Sequence, residues 1–151
     1  MEQIIEALLP ELEVPSPVAV LQARRNAEAR NGLLREFGAF TSAELAELAG
    51  SRAKNRAALA HRWRHERRVL SVIHHGTTYY PGFQFDAEGR PREVVARVIA
   101  ALPSQGSDWE TALWFSSPSG WLGGRRPVDL LESEPQSVIE AAEHEAAELV
   151  F

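Results

Sequence analysis

Trp121-Leu122-Gly123-Gly124-Arg125-Arg126-Pro127-Val128-Asp129-Leu130-Leu131 is the stretch around which the rest of the chain is ordered. Two glycines between a large apolar pair and a proline describe a backbone that turns sharply. It then starts a short helix with Pro127 in the first turn, where a missing N–H costs nothing. Val128, Leu130 and Leu131 are expected to point that helix inward. Just upstream, Asp108-Trp109-Glu110-Thr111-Ala112-Leu113-Trp114-Phe115 supplies two further tryptophans. Trp121 to Pro127, with the terminal Leu149-Val150-Phe151, is expected to present apolar and aromatic surface, ringed by acidic residues, to a protein partner.

Leu122-Gly123-Gly124, two residues, Pro127, two residues and Leu130-Leu131, twenty residues before Phe151, form a Leu-Gly-Gly-x-x-Pro-x-x-Leu-Leu core. It resembles the C-terminal toxin-binding domain of Xre/MbcA/ParS-type antitoxins, the partners of RES-domain toxins, over roughly residues 91–151. The resemblance implies an antitoxin of a type II toxin–antitoxin pair. Such a protein covers the active site of a toxin that attacks NAD or uses it for ADP-ribosylation, and represses its own operon as a dimer or larger complex. Leu122, Gly123, Gly124, Pro127, Leu130 and Leu131 match the motif and are expected to shape the toxin-facing turn. Arg125 and Arg126 occupy its variable pair and are expected to touch the partner. Two departures stand out. Pro118-Ser119-Gly120-Trp121 replaces the Asn-Pro pair usual just upstream, and the first half looks winged rather than like a compact Xre-type helical domain.

Working outward, the charge is split. The net charge of -5 taken alone argues against nucleic acid. Between Ser51 and Arg68, however, Arg52, Lys54, Arg56, Arg62, Arg64, Arg67 and Arg68 stand against Glu66 alone, whereas from Asp129 onward seven acidic residues meet no Lys or Arg. One region is suited to anions and the other to cations. With 151 residues, 44% of them hydrophobic, the chain can bury a core without a cofactor. It has no cysteine, hence no disulfide or thiolate metal site. The start lacks the pattern of a signal peptide and no run is long enough to span a membrane, so a cytoplasmic protein without membrane association is expected.

The fold expected is mainly α: a helix-turn-helix region with a small β-hairpin wing, followed by a C-terminal helical toxin-binding domain. Its divisions are an N-terminal helical arm over residues 1–40, a winged helix-turn-helix over 41–90 and the toxin-binding domain over 91–151. Residues 2–9 read as a short helix stopped by Pro10. Residues 18–37 read as a helix with Val18, Leu21, Ala27, Leu33, Leu34 and Phe37 inward and Gly38 as its C-terminal cap. Thr41-Ser42-Ala43-Glu44 is a capping box opening a helix with Leu45, Leu48 and Ala49 facing in. A basic second helix spans 55–68 on Leu59 and Trp63, and strands over 69–75 and 78–85 turn about Gly76-Thr77. Residues 92–102 carry the stripe Val94, Val95, Val98, Ile99 and Leu102. Two more capping boxes, Ser107 to Glu110 and Ser133 to Gln136, open the last two helices.

Operator DNA is the second partner expected. Arg52, Lys54, Asn55 and Arg56 lie around the start of the basic helix, where side chains such as Asn55 or Arg56 reach base edges and the cations meet phosphates. Arg62, Arg64 and His75 add phosphate contacts along the helix and from the wing. His61, His65, His74 and His75 invite a zinc reading, but neither cysteine nor a His-Glu-x-x-His pattern accompanies them, and no metal is expected. No nucleophile elbow, phosphate loop or paired buried acids appear, so no catalytic residue is assigned and the chain is expected not to be an enzyme. Two alternatives stand beside the antitoxin: a stand-alone DNA-binding regulator with a C-terminal dimerisation domain, and a scaffold whose Arg face meets the acidic last helix of a neighbouring copy.

Overall fold

The structure, a computed structural model, describes residue 14 and residues 16–50, 57–103 and 107–149. Ser16 opens α1 (Pro17–Phe37): its Oγ accepts from the N–H of Ala19, and Pro17 takes the first helical position. Gly38, at φ 70°, ends it. Residues 16–31 are exposed throughout, and Leu33 is the helix's buried residue. Val18 and Leu21, expected inward, are 77% and 47% exposed, because the rest of the described chain packs mainly on the last turns, against Leu33, Leu34 and Phe37.

A two-residue strand follows, β1 (Ala39–Phe40), and then α2 (Ser42–Leu48). The capping box forms as its residues dictate. The Glu44 N–H donates to Thr41 Oγ1 at 3.3 Å and the Thr41 N–H to Glu44 Oε1 at 3.2 Å. Leu45 and Ala46 are buried, whereas Leu48 lies on the outer side, 43% exposed, against expectation. On α3 (Ala57–His65), Ala60 and Trp63 are buried. This helix stops short of the expected Arg68. Arg67 adopts φ 60°, the Arg68 N–H donates to the Trp63 carbonyl and the Arg67 N–H to that of Arg64, a left-handed termination normally given to glycine.

β2 (Val72–His74) and β3 (Thr77–Pro81) pair antiparallel, Val72 with Tyr79 and His74 with Thr77. The turn is His75-Gly76, one residue earlier than expected. Both take positive φ, 50° and 77°, which suits a two-residue hairpin to the twist of its strands. β1 pairs with the far edge of β3, Ala39 with Pro81 and Phe40 with Tyr80, giving the sheet order β1-β3-β2. The strands are shorter than the sequence implied because Gly82 begins a 3-10 turn (Gly82–Gln84). A Cβ there would lie 2.4 Å from the Phe37 carbonyl oxygen, so the close approach requires glycine. Gln84 is fully buried: its Nε2 donates to the carbonyls of Leu70 and Pro81, and its Oε1 accepts from the Leu70 N–H. One side chain thus satisfies the backbone polar groups that a neighbouring strand would otherwise pair.

The second half is helical: α4 (Glu93–Ala101), α5 (Trp109–Ser116), 3-10 turns at Gly120–Leu122 and Pro127–Leu130, and α6 (Pro135–Leu149). All five residues of the expected α4 stripe are buried. The box expected at Ser107 does not form. Asp108 takes the cap position without a side-chain cap, because its carboxylate is engaged elsewhere, and Ser107 Oγ accepts from the Trp109 N–H. The expected helix at Pro127 is a single 3-10 stretch, with Val128 half-buried. Among the described residues the chain is mainly helical, with six α-helices and one three-stranded antiparallel sheet.

Two apolar clusters hold these elements. The larger joins Leu33, Leu70, Val72 and Phe83 to α4, α5, α6 and the two late 3-10 turns, with Phe115 fully buried and Phe83 5.0 Å from it, ring to ring. The smaller one, Leu45, Ala60, Trp63, Val69, Tyr80 and Phe85, sits beneath α2 and α3. The turn around 86–90, where the second division was expected to end, is closed by an Asp86 N–H to Arg90 carbonyl bond, and the larger cluster continues across it. No helix among the described residues is long and apolar enough to cross a membrane. The expected helix over 2–9 lies outside the described residues.

Candidate functional site

The 119–131 stretch is built around one carbonyl. Ser119 O accepts from the N–H groups of Leu122 (3.1 Å) and Gly124 (2.8 Å), and the Ser119 N–H donates to the Arg125 carbonyl (3.0 Å). That knot requires Gly123 at φ 67° and Gly124 at φ 84°, left-handed conformations that cost a side-chain-bearing residue about 1–2 kcal/mol. Open space surrounds a Cβ at either position, so the backbone angle, not crowding, selects glycine. Pro127 then starts a 3-10 turn; it and Leu122, Leu130 and Leu131 are buried, which fixes the turn to the core through four side chains. Trp121 projects the other way, 44% exposed, with one face stacked on His144 at 4.7 Å and 18°.

The two arginines between the glycines and the proline are engaged by other groups of the same chain. Arg125 Nε donates to the Leu122 carbonyl (2.9 Å) and its Nη1 to Glu134 (2.6 Å). Arg126 forks onto Glu36 at 2.9 and 2.7 Å, reaches Asp129 at 2.9 and 3.0 Å, and lies over the Phe37 ring. Hydrogen bonds from that guanidinium hold the carboxyls of both Glu36 and Asp129 below their usual range and raise the arginine further above its own. The end of α1 is thereby tied to the turn.

Beside this turn runs a groove of about 710 Å³ between α5, the 117–121 loop and the second half of α6. Leu113, Trp114, Pro118 and Trp121 give it apolar walls, and Glu110, Glu145 and Glu148 line it. Leu149, next along α6, is 63% exposed. Val150 and Phe151, assigned to the same surface by sequence, lie outside the described residues.

On the opposite charge, Arg52, Lys54, Asn55 and Arg56 also lie outside the described residues. Arg62 is exposed on α3, 3.6 Å from Glu66. Arg64 is drawn instead to Asp108, its Nε 2.9 Å from Oδ2, while the Ser71 N–H donates to the same oxygen at 3.1 Å. Trp109, the next residue, donates from Nε1 to the Ile73 carbonyl and lies beneath the Arg30 guanidinium. His75 occupies the hairpin tip with its ring 4.0 Å from that of His74. His61 and His65 are exposed on α3. The start of α5 therefore braces both the end of α3 and the hairpin, and Arg64 acts as a brace where sequence suggested a free phosphate contact.

The tertiary contacts of Glu36, Asp108, Gln84 and His144 were not foreseen from the sequence, although each ties separate parts of the fold together. Their partners lie as far as 90 residues away, as Glu36 does from Arg126, and no local spacing announces them. No family model, curated protein or solved structure matches the chain.

Proposed function

We propose that the chain is the antitoxin of a type II toxin–antitoxin pair of the Xre/MbcA/ParS kind, neutralising a RES-domain toxin through residues 91–151 and repressing its own operon through a winged helix-turn-helix. The observation that carries the reading is that every matched motif residue has a distinct physical task in one surface turn. Gly123 and Gly124 supply the left-handed backbone, Pro127 starts the 3-10 stretch, and Leu122, Leu130 and Leu131 anchor it.

The order helix, strand, helix, helix, strand, strand over α1 to β3, with the sheet arranged β1-β3-β2, supports the winged reading. In it α3 is the reading helix and His75 the wing tip. In this account Trp121 and the adjoining groove meet the toxin, whereas Arg125 and Arg126 shape the turn and touch the partner only with what their internal ion pairs leave free.

Gentle affinity purification of the tagged full chain from its source cells tests the first half. A stoichiometric partner that consumes NAD, or transfers from it, once the antitoxin is stripped away supports the proposal; a partner-free protein removes it. Titration with the DNA upstream of its own gene tests the second half. The logarithm of the association constant should fall by about 0.9 per phosphate contact for each tenfold rise in salt.

The uncovered first half of α1 favours a second reading, a stand-alone DNA-binding regulator that self-associates. DNA binding by a partner-free dimer would select it.

A further inference from the structure

The groove beside Trp121 has properties that the antitoxin reading does not itself require. Every ionisable residue lining it is acidic: Glu110, Glu145 and Glu148. None of the three has a cationic partner among the described residues. The nearest arginines in sequence are engaged, Arg125 by Glu134 and Arg126 by Glu36 and Asp129, and the chain holds no Lys or Arg after Arg126. Two indoles, Trp114 and Trp121, form walls; His144 stacks on Trp121, which remains 44% exposed. Ser119 also lines the groove. It is 7% exposed, and its Oγ has no hydrogen-bond partner among the described residues. A buried hydroxyl without a partner is uncommon.

We propose that this groove receives the side chain of an arginine carried on an exposed segment of a partner protein. A guanidinium matches it better than an ammonium. It is planar and stacks on indole, it is weakly hydrated and so enters a half-apolar site at lower cost, and its fork of N–H donors can serve two carboxylate oxygens together. The volume, about 710 Å³, lies within the range of roughly 300–1,000 Å³ typical of ligand sites and exceeds what one side chain fills, so the flanking residues of the segment enter with it. The inference rests on the partner-binding reading of the C-terminal region only in taking the arginine to belong to a protein.

The test uses the full chain, labelled with nitrogen-15, and two probes at matched ionic strength: Nα-acetyl-arginine methylamide and its neutral isostere, the citrulline analogue. The indole N–H resonances of Trp114 and Trp121 should move saturably with the arginine probe and stay still with citrulline. Those of Trp63 and Trp109, 6% and 4% exposed, serve as internal references and should not move. Glu145→Gln with Glu148→Gln should weaken binding roughly tenfold, and Trp121→Ala should abolish it while the Trp63 and Trp109 indole resonances stay in place, which shows that the fold is kept. Equal response to citrulline, common movement of all four indoles, or full binding by the double glutamine variant would overturn the proposal. Movement of the same two resonances on concentrating the protein alone would assign the arginine to a second copy of this chain and overturn the partner assignment. The two readings fail separately. A partner-free purification with an intact arginine titration removes the toxin, whereas an NAD-consuming partner held equally well by Trp121→Ala removes the groove.

Discussion

The 119–131 turn and the first half of α1 are opposite ways of making a surface. In the turn, one carbonyl takes two N–H groups, four buried side chains anchor the backbone, and two arginines are bonded to three acidic side chains. Along α1, residues 16–31 form four turns of helix with every residue exposed, and Gln22 to Asn26 is its one side-chain pair on the helix itself. The turn is preorganised, so binding there would require little further ordering. An isolated helix of that length is marginal in water, so the α1 segment depends on its docked end or on a partner. Amide hydrogen exchange should separate the two regions widely. Amides of Val98 and Ala142, in the core, should be protected on the order of 10³-fold or more above those of Ala23 to Ala27. Equal protection that falls on dilution would mean that α1 is covered by a second copy.

The same contrast fixes the sizes of two truncations. Leu122→Ala removes a side chain that is 4% exposed and holds the glycine turn to α6, and should destabilise by about 2–5 kcal/mol in urea unfolding. Leu21→Ala, at 47% exposure on α1, should change stability by less than about 0.5 kcal/mol. Comparable losses would mean that the outer half of α1 is packed in solution.

Much of this contrast was written locally. The Thr41 capping box, the α4 stripe and the glycine pair before Pro127 each act within a few residues, and each takes the form its spacing dictates. β1 was not legible because two residues carry no period, and its pairing with β3 is fixed by Gly82 approaching the Phe37 carbonyl, a contact across 45 residues. The Ser107 box failed for a related reason: Asp108 serves Arg64 and the Ser71 N–H, and a local rule lost to a distant charge. Val18 and Leu21 misled because an apolar period reports which face could be covered, not whether anything covers it. At the candidate site the anchors were legible and the ties were not. Nothing near Arg126 points to Glu36.

The Arg126 fork ties the turn to the docked end of α1, and it makes that connection sensitive to acid. Both Glu36 and Asp129 are held below the ordinary carboxylate range in the folded chain, so at neutral pH, where both are ionised, the fork's stabilisation is fully present. It is lost as pH falls through and below that range, when the carboxyls must protonate. Arg126→Met keeps apolar contact with Phe37 but removes the charge. Its stability should lie below that of the unaltered protein at pH 7, with the gap closing as pH falls through and below the ordinary carboxylate range, a smaller change than Leu122→Ala gives. A constant gap between the two across that window would mean that the arginine acts by packing alone.

The smallest effect has the opposite sign. Arg67 and Gly123 both take left-handed backbone, at φ 60° and 67°, but the C-terminal turn assigns the position to glycine and the end of α3 does not. If a glycine were simply better, Arg67→Gly should raise stability by up to about 1 kcal/mol, the relief of left-handed strain partly offset by the greater freedom of the unfolded glycine. Arg67 forms no ion pair among the described residues, and its side chain is exposed in the basic stretch beside α3, so the substitution removes one positive charge from the face assigned to DNA. A gain in the unfolding midpoint together with a salt slope for DNA reduced by about one contact would show that strain is kept there for its charge. A gain in stability with the slope unchanged would place Arg67 outside the DNA footprint and leave the strained helix end without a binding role.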